Sequence, residues 1–189
     1  EDDRTKTLQT IQPSRLDAED DRARSPLDNQ GTNRFKRGTL THKLFQILPD
    51  LPVAGRERAA LSFLARMAKE LPEAIRTEIV DETLRILNDP VFADVFGEDS
   101  LAEVPVSGDL GDGRMISGQI DRLVIGHNKI LIVDFKTNRP SPKDQNAIPE
   151  TYKKQLRAYK TAMHRIFPDR EILCALLWTD QPLLMPVEI

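Results

Sequence analysis

Cysteine occurs once in 189 residues, at Cys174, so neither a disulfide framework nor an iron–sulfur cluster can be assembled from this chain alone. The thiol falls inside the apolar run 172–178, the setting of a small core residue. No stretch is long and apolar enough to span a bilayer, and no signal peptide is visible. Internal repeats are lacking too, as are a phosphate-binding loop and a Ser–His–Asp arrangement. The chain does not begin with Met, as expected either of a piece of something larger or of a chain whose Met has been removed.

What is present is one domain's worth of sequence with a polar front. Apolar residues make up 39% and charged residues 30%. Before Arg34 there are eight acids and five bases, with Pro13, Pro26, Gly31 and no apolar run. Residues 1–33 therefore read as a polar linker or surface arm, and 34–189 as the domain. The arm's excess of acid equals the net charge of −3 for the whole chain, so the domain itself is near neutral. A nucleic-acid partner then depends on a local basic face rather than on bulk charge.

Helical spacing of Phe35, Leu40, Leu44, Ile47 and Leu48 predicts a first helix, stopped by Pro49 and Pro52. A second is expected over 55–70, with Ala59, Phe63, Leu64 and Met67 inward. A third is expected over 72–88, and a short helical turn over 91–97. The period then changes. Strands are predicted at 102–106, 114–125 and 129–136, the last two joined by a turn at Gly126-His127-Asn128. A polar, Pro-rich loop over 138–149 leads to a helix marked by Tyr152, Leu156, Tyr159, Met163 and Ile166. Strands at 171–178 and 184–187 close the chain.

With the turn centred between His127 and Asn128, paired residues have numbers that sum to 255, which sets Asp121 opposite Asp134. Directly opposed side chains lie about 4.5–5.5 Å apart at Cβ. Two carboxylates so placed repel unless neutralised, and a divalent cation is the natural neutraliser. Residues 130–135 are apolar on both faces except for Asp134, the pattern of a strand buried on both sides. Alternation puts Asp134 and Lys136 on one face. A lysine there can orient a nucleophile or stabilise charge on a phosphate oxygen. Taken alone, two strand-end acids with a lysine are more often a plain salt-bridge cluster. Their place at the end of a doubly apolar strand, where unpaired charge is costly, weakens that reading.

Gly118-Gln119-Ile120-Asp121-Arg122-Leu123, Asp134-Phe135-Lys136-Thr137 and Gln155 with Tyr159, in that order, resemble the motifs of the PD-(D/E)XK nuclease superfamily. The resemblance is to its RecB-like branch, and Gly38 with His42 looks like that branch's upstream helix motif. The chain is most similar to the C-terminal nuclease domain of AddA-type subunits of double-strand-break repair helicase–nucleases. This implies an α/β fold of restriction-endonuclease type: a mixed sheet flanked by helices, with an N-terminal helical region and the site at one edge. It implies a metal-dependent deoxyribonuclease acting as an exonuclease, with Asp121, Asp134 and Lys136 catalytic. His42, Asp121, Asp134 and the Phe135 carbonyl would hold Mg²⁺, with Mn²⁺ as the alternative and no iron–sulfur cluster. Gln155 and Tyr159 would line the site and touch DNA. Single-stranded DNA, a helicase region of the same polypeptide that uses ATP, and an AddB-type subunit are the implied partners, in the cytoplasm and without a membrane.

From Lys136 to Arg165 there are eight Lys or Arg against two acids. Arg139, Lys143, Lys153, Lys154, Arg157 and Lys160 are candidates for a phosphate-tracking face, the plain alternative being a solvated helix. Glu103, on the first predicted strand, is either an outer acid of the site or a surface residue. His127 and His164 read as turn and surface residues. A catalytically silent DNA-binding or docking module on the same fold is the rival function, and a domain binding an acidic ligand at the basic helix is another.

Overall fold

The computed structural model describes residues 9–13, 29–110 and 113–189. Its strands are β1 (Gln9–Ile11), β2 (Ser100–Asp109), β3 (Arg114–Ile125), β4 (Lys129–Lys136), β5 (Glu171–Trp178) and β6 (Leu183–Pro186). Its α-helices are α1 (Asn29–Ile47), α2 (Val53–Met67), α3 (Glu73–Leu87) and α4 (Glu150–Ile166). Short 3₁₀ turns occupy Pro90–Val95 and Gln145–Ala147. The six strands form one mixed sheet flanked by helices, as expected. No described helix is long and apolar enough to cross a membrane.

β3 organises the sheet. One edge pairs antiparallel with β2 from Met115 to Val124. The other edge is shared: β1 pairs in parallel with Arg114–Ile116, and β4 pairs antiparallel with Arg122–Ile125. Between these partners, residues 117–121 of that edge have no strand beside them among the described residues. The β3–β4 register is Arg122 with Val133 through Ile125 with Ile130, the sum of 255 expected from the turn. The ladder stops one pair short of Asp121 and Asp134, so the strands fork there. β4 continues alongside β5 in parallel as far as Lys136 with Trp178.

The apolar pattern places helices on both faces. Ile132 and Leu176 join Leu156, Tyr159 and Met163 of α4 in one core. Val133, Phe135 and Leu177 point the other way, against Phe45 of α1, Ile86 of α3 and Phe92. A third core lies within the helices themselves, built from Leu40, Leu44, Leu64 and Ile79. Helix α1 thus contributes Leu44 to the helical core and Phe45 to the sheet core. Its start at Asn29 precedes the expected 35 because residues 29–34 carry no apolar periodicity to signal it. Two expected core residues are exposed instead: Met67 (54%), on the last turn of α2, and Ile166 (58%), on the last of α4. A final turn outruns the surface it packs on, and its apolar side chain is left in water.

Candidate metal and nuclease site

The fork between β3 and β4 is held open by side chains. The Phe135 amide donates to Asp121 Oδ2 at 2.7 Å, taking from a carboxylate the hydrogen bond a strand partner would give. Helix α1 brings His42 to the same point. Its Nδ1 lies 3.4 Å from Asp121 Oδ1, and its Nε2 lies 3.2 Å from the Phe135 carbonyl oxygen. The ring packs edge-on against Phe135 at 5.5 Å. The cluster therefore lies at a fork between two neighbouring strands of the sheet, where the sequence led us to expect the site at one edge.

Two motif glycines set these approaches. A Cβ on Gly38, one turn before His42, would lie 2.9 Å from Thr137 Oγ1, so glycine lets α1 close onto the end of β4. A Cβ on Gly118 would lie 2.8 Å from the Tyr159 hydroxyl oxygen. That phenol fills the unpartnered stretch of β3: it donates to the Gln119 carbonyl at 2.8 Å and accepts from the Gln119 amide at 3.2 Å.

Glu103 enters from β2. Its position matches that of Asp121 across the β2–β3 ladder, which skips this pair. Its φ of +54° lies in the left-handed region, where a side chain costs about 1–2 kcal/mol. The Gln119 side-chain amide secures the Glu103 carbonyl at 3.1 Å. The carboxylate is directed to the cluster: ligand atoms of His42, Glu103 and Asp121 all lie within 4.8 Å of one another. A histidine nitrogen, two carboxylates and the adjacent Phe135 carbonyl form a donor set suited to a hard or borderline divalent cation.

Asp134 is not in that trio. It is buried, and its Oδ2 lies 2.8 Å from Lys136 Nζ. The ammonium also donates to Gln155 Oε1 at 3.3 Å and stands 3.9 Å over the Tyr152 ring. Tyr152 in turn donates to Asn138 Oδ1 at 3.2 Å. Lys136 is thus fixed by α4 on one side and Asp134 on the other.

The charges are mutually dependent. Burial pulls the His42 imidazole down, but Asp121, through charge and contact, and Asp134 outweigh it and raise its pKa to about 9. Burial opposes ionisation of Asp121, yet His42, the Phe135 amide and Lys136 hold its carboxyl below the ordinary range. Glu103 is pushed up, first by burial and then by Asp121. Crowded carboxylates beside a histidine whose protonated form they favour are a setting in which a divalent cation could take the proton's place.

The expected polar residues separate into groups. Gln155 (3% exposed) and Tyr159 (0%) present almost no surface and act on Lys136 and Gln119. Arg139 lies against Glu78, Glu82 and Asp180, where Arg37 also meets both glutamates. Lys154 and Arg157 are exposed on α4, Arg157 within 3.4 Å of Glu150. The network around Glu78 and Glu82 had no sequence signal, because its ion-pair partners lie more than forty positions apart.

Among curated proteins, none matches the chain. The crystal structure of SSO0001 is similar at 18% identity over 78% of this chain, with a TM-score of 0.36, and the match spans 66% of that protein's chain. Residues 15–179 match the PD-(D/E)XK nuclease superfamily. That match embraces α1, the fork and α4, and the chain belongs to the PD-(D/E)XK nuclease superfamily.

Proposed function

We propose that this chain is a metal-dependent deoxyribonuclease domain of the RecB-like branch, working as the exonuclease of an AddA-type helicase–nuclease in double-strand-break repair. The observation that carries the reading is the convergence of His42, Glu103, Asp121 and the Phe135 carbonyl beside the buried Asp134–Lys136 pair.

In this reading His42, Asp121 and the Phe135 carbonyl hold Mg²⁺ or Mn²⁺, with Glu103 as the outer acid and Asp134 completing the set from the lysine side. What a bound divalent cation supplies there is Lewis acidity toward a phosphoryl oxygen and acidification of water. Asp134 keeps Lys136 aimed. Lys136 offers its ammonium to the negative charge that develops on phosphate in the transition state. Gln155 and Tyr152 restrict where that ammonium can sit, and Tyr159 holds β3 at Gln119 so that Asp121 keeps its place. The half-buried His42 and Glu103 mark the side on which the strand approaches. The helicase region, its ATP and an AddB-type subunit belong to the parent assembly.

The test is calorimetric titration of the purified chain with Mg²⁺ and Mn²⁺, wild type against Asp121→Ala, with cleavage of single-stranded DNA followed in parallel. Saturable binding and metal-dependent cleavage, both lost in the variant, are expected. A folded wild-type protein that binds no divalent cation would sink the proposal and leave a silent DNA-binding module.

A further inference from the structure

We infer that the far half of α4, with the start of β5, is a second contact surface for the same DNA strand, a phosphate-binding cleft away from the chemistry. The inference rests on the nuclease reading above. A cleft of about 600 Å³ opens here, rimmed by Arg157, Lys160, Arg165 and Arg170 and floored in part by Ile172 and Leu173. It lies at the opposite end of the sheet from Lys136. Ile172 pairs with Ile130 near the start of β4, whereas Lys136 pairs with Trp178 at its end. At about 3.3 Å per residue the sheet separates the two ends by roughly 20 Å.

Among the described residues, no acid side chain pairs with Arg165 or Arg170 as Glu78 and Glu82 do with Arg139, whereas Arg157 lies 3.4 Å from Glu150 and Lys160 donates to the Ile189 carbonyl at 2.8 Å. Arg165 donates to the Asp109 carbonyl. Arg170 donates to the Gly126 carbonyl at 3.2 Å and lies 5.2 Å over the Phe167 ring. Both guanidinium groups are thereby positioned by neutral partners, which orient them without taking up their charge. The acid on the rim, Glu171, is engaged at 3.3 Å by Lys129. A cationic rim over an apolar floor suits a single strand, with phosphates on the rim and a sugar or base face on the floor.

The geometry also gives a direction. Lys154, Arg157, Thr161 and Arg165 recur at three and four residues and are all exposed, so they make one stripe along α4. The stripe begins beside Gln155, which touches Lys136, and ends in the cleft. At 1.5 Å per residue it is about 16 Å long, enough to meet more than one phosphate of an extended single strand. A strand whose scissile phosphate lies at the fork is led along α4 to Arg165 and Arg170.

Two variants test this, Arg165→Glu/Arg170→Glu and Thr161→Glu. The second adds an acid to the exposed stripe without removing either arginine's structural hydrogen bond. Binding of a 25-nucleotide single strand is read by fluorescence anisotropy in chelator across a salt series, and wild-type cleavage is checked separately with Mg²⁺. We expect both variants to lose about tenfold or more in affinity. For the double variant, the dependence of log K on log salt becomes shallower by about 1.4, at about 0.7 per lost phosphate contact. If both variants bind as wild type does while wild type cleaves, the cleft is not a DNA surface and the nuclease reading stands. If the wild type neither binds nor cleaves, both fall together.

Discussion

The Tyr159 hydroxyl satisfies both main-chain groups of Gln119, giving and receiving one hydrogen bond each, as a neighbouring strand would. Tyr159→Phe removes both bonds while keeping the ring, so it is expected to cost about 1–3 kcal/mol. Gly118→Ala should cost a similar amount by driving a methyl group against the same oxygen, 2.8 Å away. Because the two changes meet at one atom, the double variant should be less destabilised than their sum by at least about 0.5 kcal/mol. Urea denaturation of the four proteins measures this. Simple additivity would mean that the phenol does not hold β3.

The buried Asp134–Lys136 pair makes a different prediction. Lys136→Met strands a carboxylate in the core and should destabilise by about 3–5 kcal/mol, whereas Asp134→Asn/Lys136→Met removes both charges and should recover part of that loss. DNA cleavage should fall by at least about a hundredfold in both, since recovered stability does not replace the ammonium. Thermal melts beside a cleavage assay separate the two effects. A double variant with wild-type cleavage would take Lys136 out of the chemistry.

Glu103 holds a left-handed conformation that glycine adopts freely. Glu103→Gly should leave the metal-free protein as stable as wild type, or up to about 1 kcal/mol more stable, while weakening divalent-cation binding. A gain in stability with a loss of function is the signature of strain kept for a site. Unchanged metal affinity in calorimetry would make Glu103 a bystander.

Cys174 supplies a pH dependence. Burial pushes its thiol from 9.0 up to about 12, with Lys160 opposing. In the unfolded chain the thiol ionises near its ordinary value, while in the folded protein it keeps its proton. Between pH 9 and 12 the unfolded state therefore binds fewer protons, and the thiol's contribution makes stability fall as pH rises. A thiol reagent at pH 9 should label the urea-unfolded protein quickly and the native protein slowly. Equal rates would contradict the burial.

Strong local patterns carried far in this chain. The strands expected at 114–125, 129–136 and 171–178 have those bounds in the structure, because alternation and doubly apolar runs are properties of neighbouring residues. The hairpin register followed from its short turn. The failures are non-local. Gln9-Thr10-Ile11 is too short and polar to announce β1, whose place is set by β3 over a hundred residues later. The fork at Asp121 depends on an amide of β4, and the φ of Glu103 on a site built by three other elements. The expectation for Asp121 and Asp134 had the register of the hairpin, although the ladder ends one pair before them. It missed that the first turns toward His42 while the second pairs with Lys136.

Helix α1 belongs at once to the helical core through Leu44 and to the sheet core through Phe45, with His42 between them in sequence. Under the proposed function, a cation held by His42 on that helix and Asp121 on β3 would tie the helical core to the sheet core. Its binding energy would then add to the stability of the folded chain, so that the melting temperature rises with divalent-cation concentration in the wild type and not in Asp121→Ala.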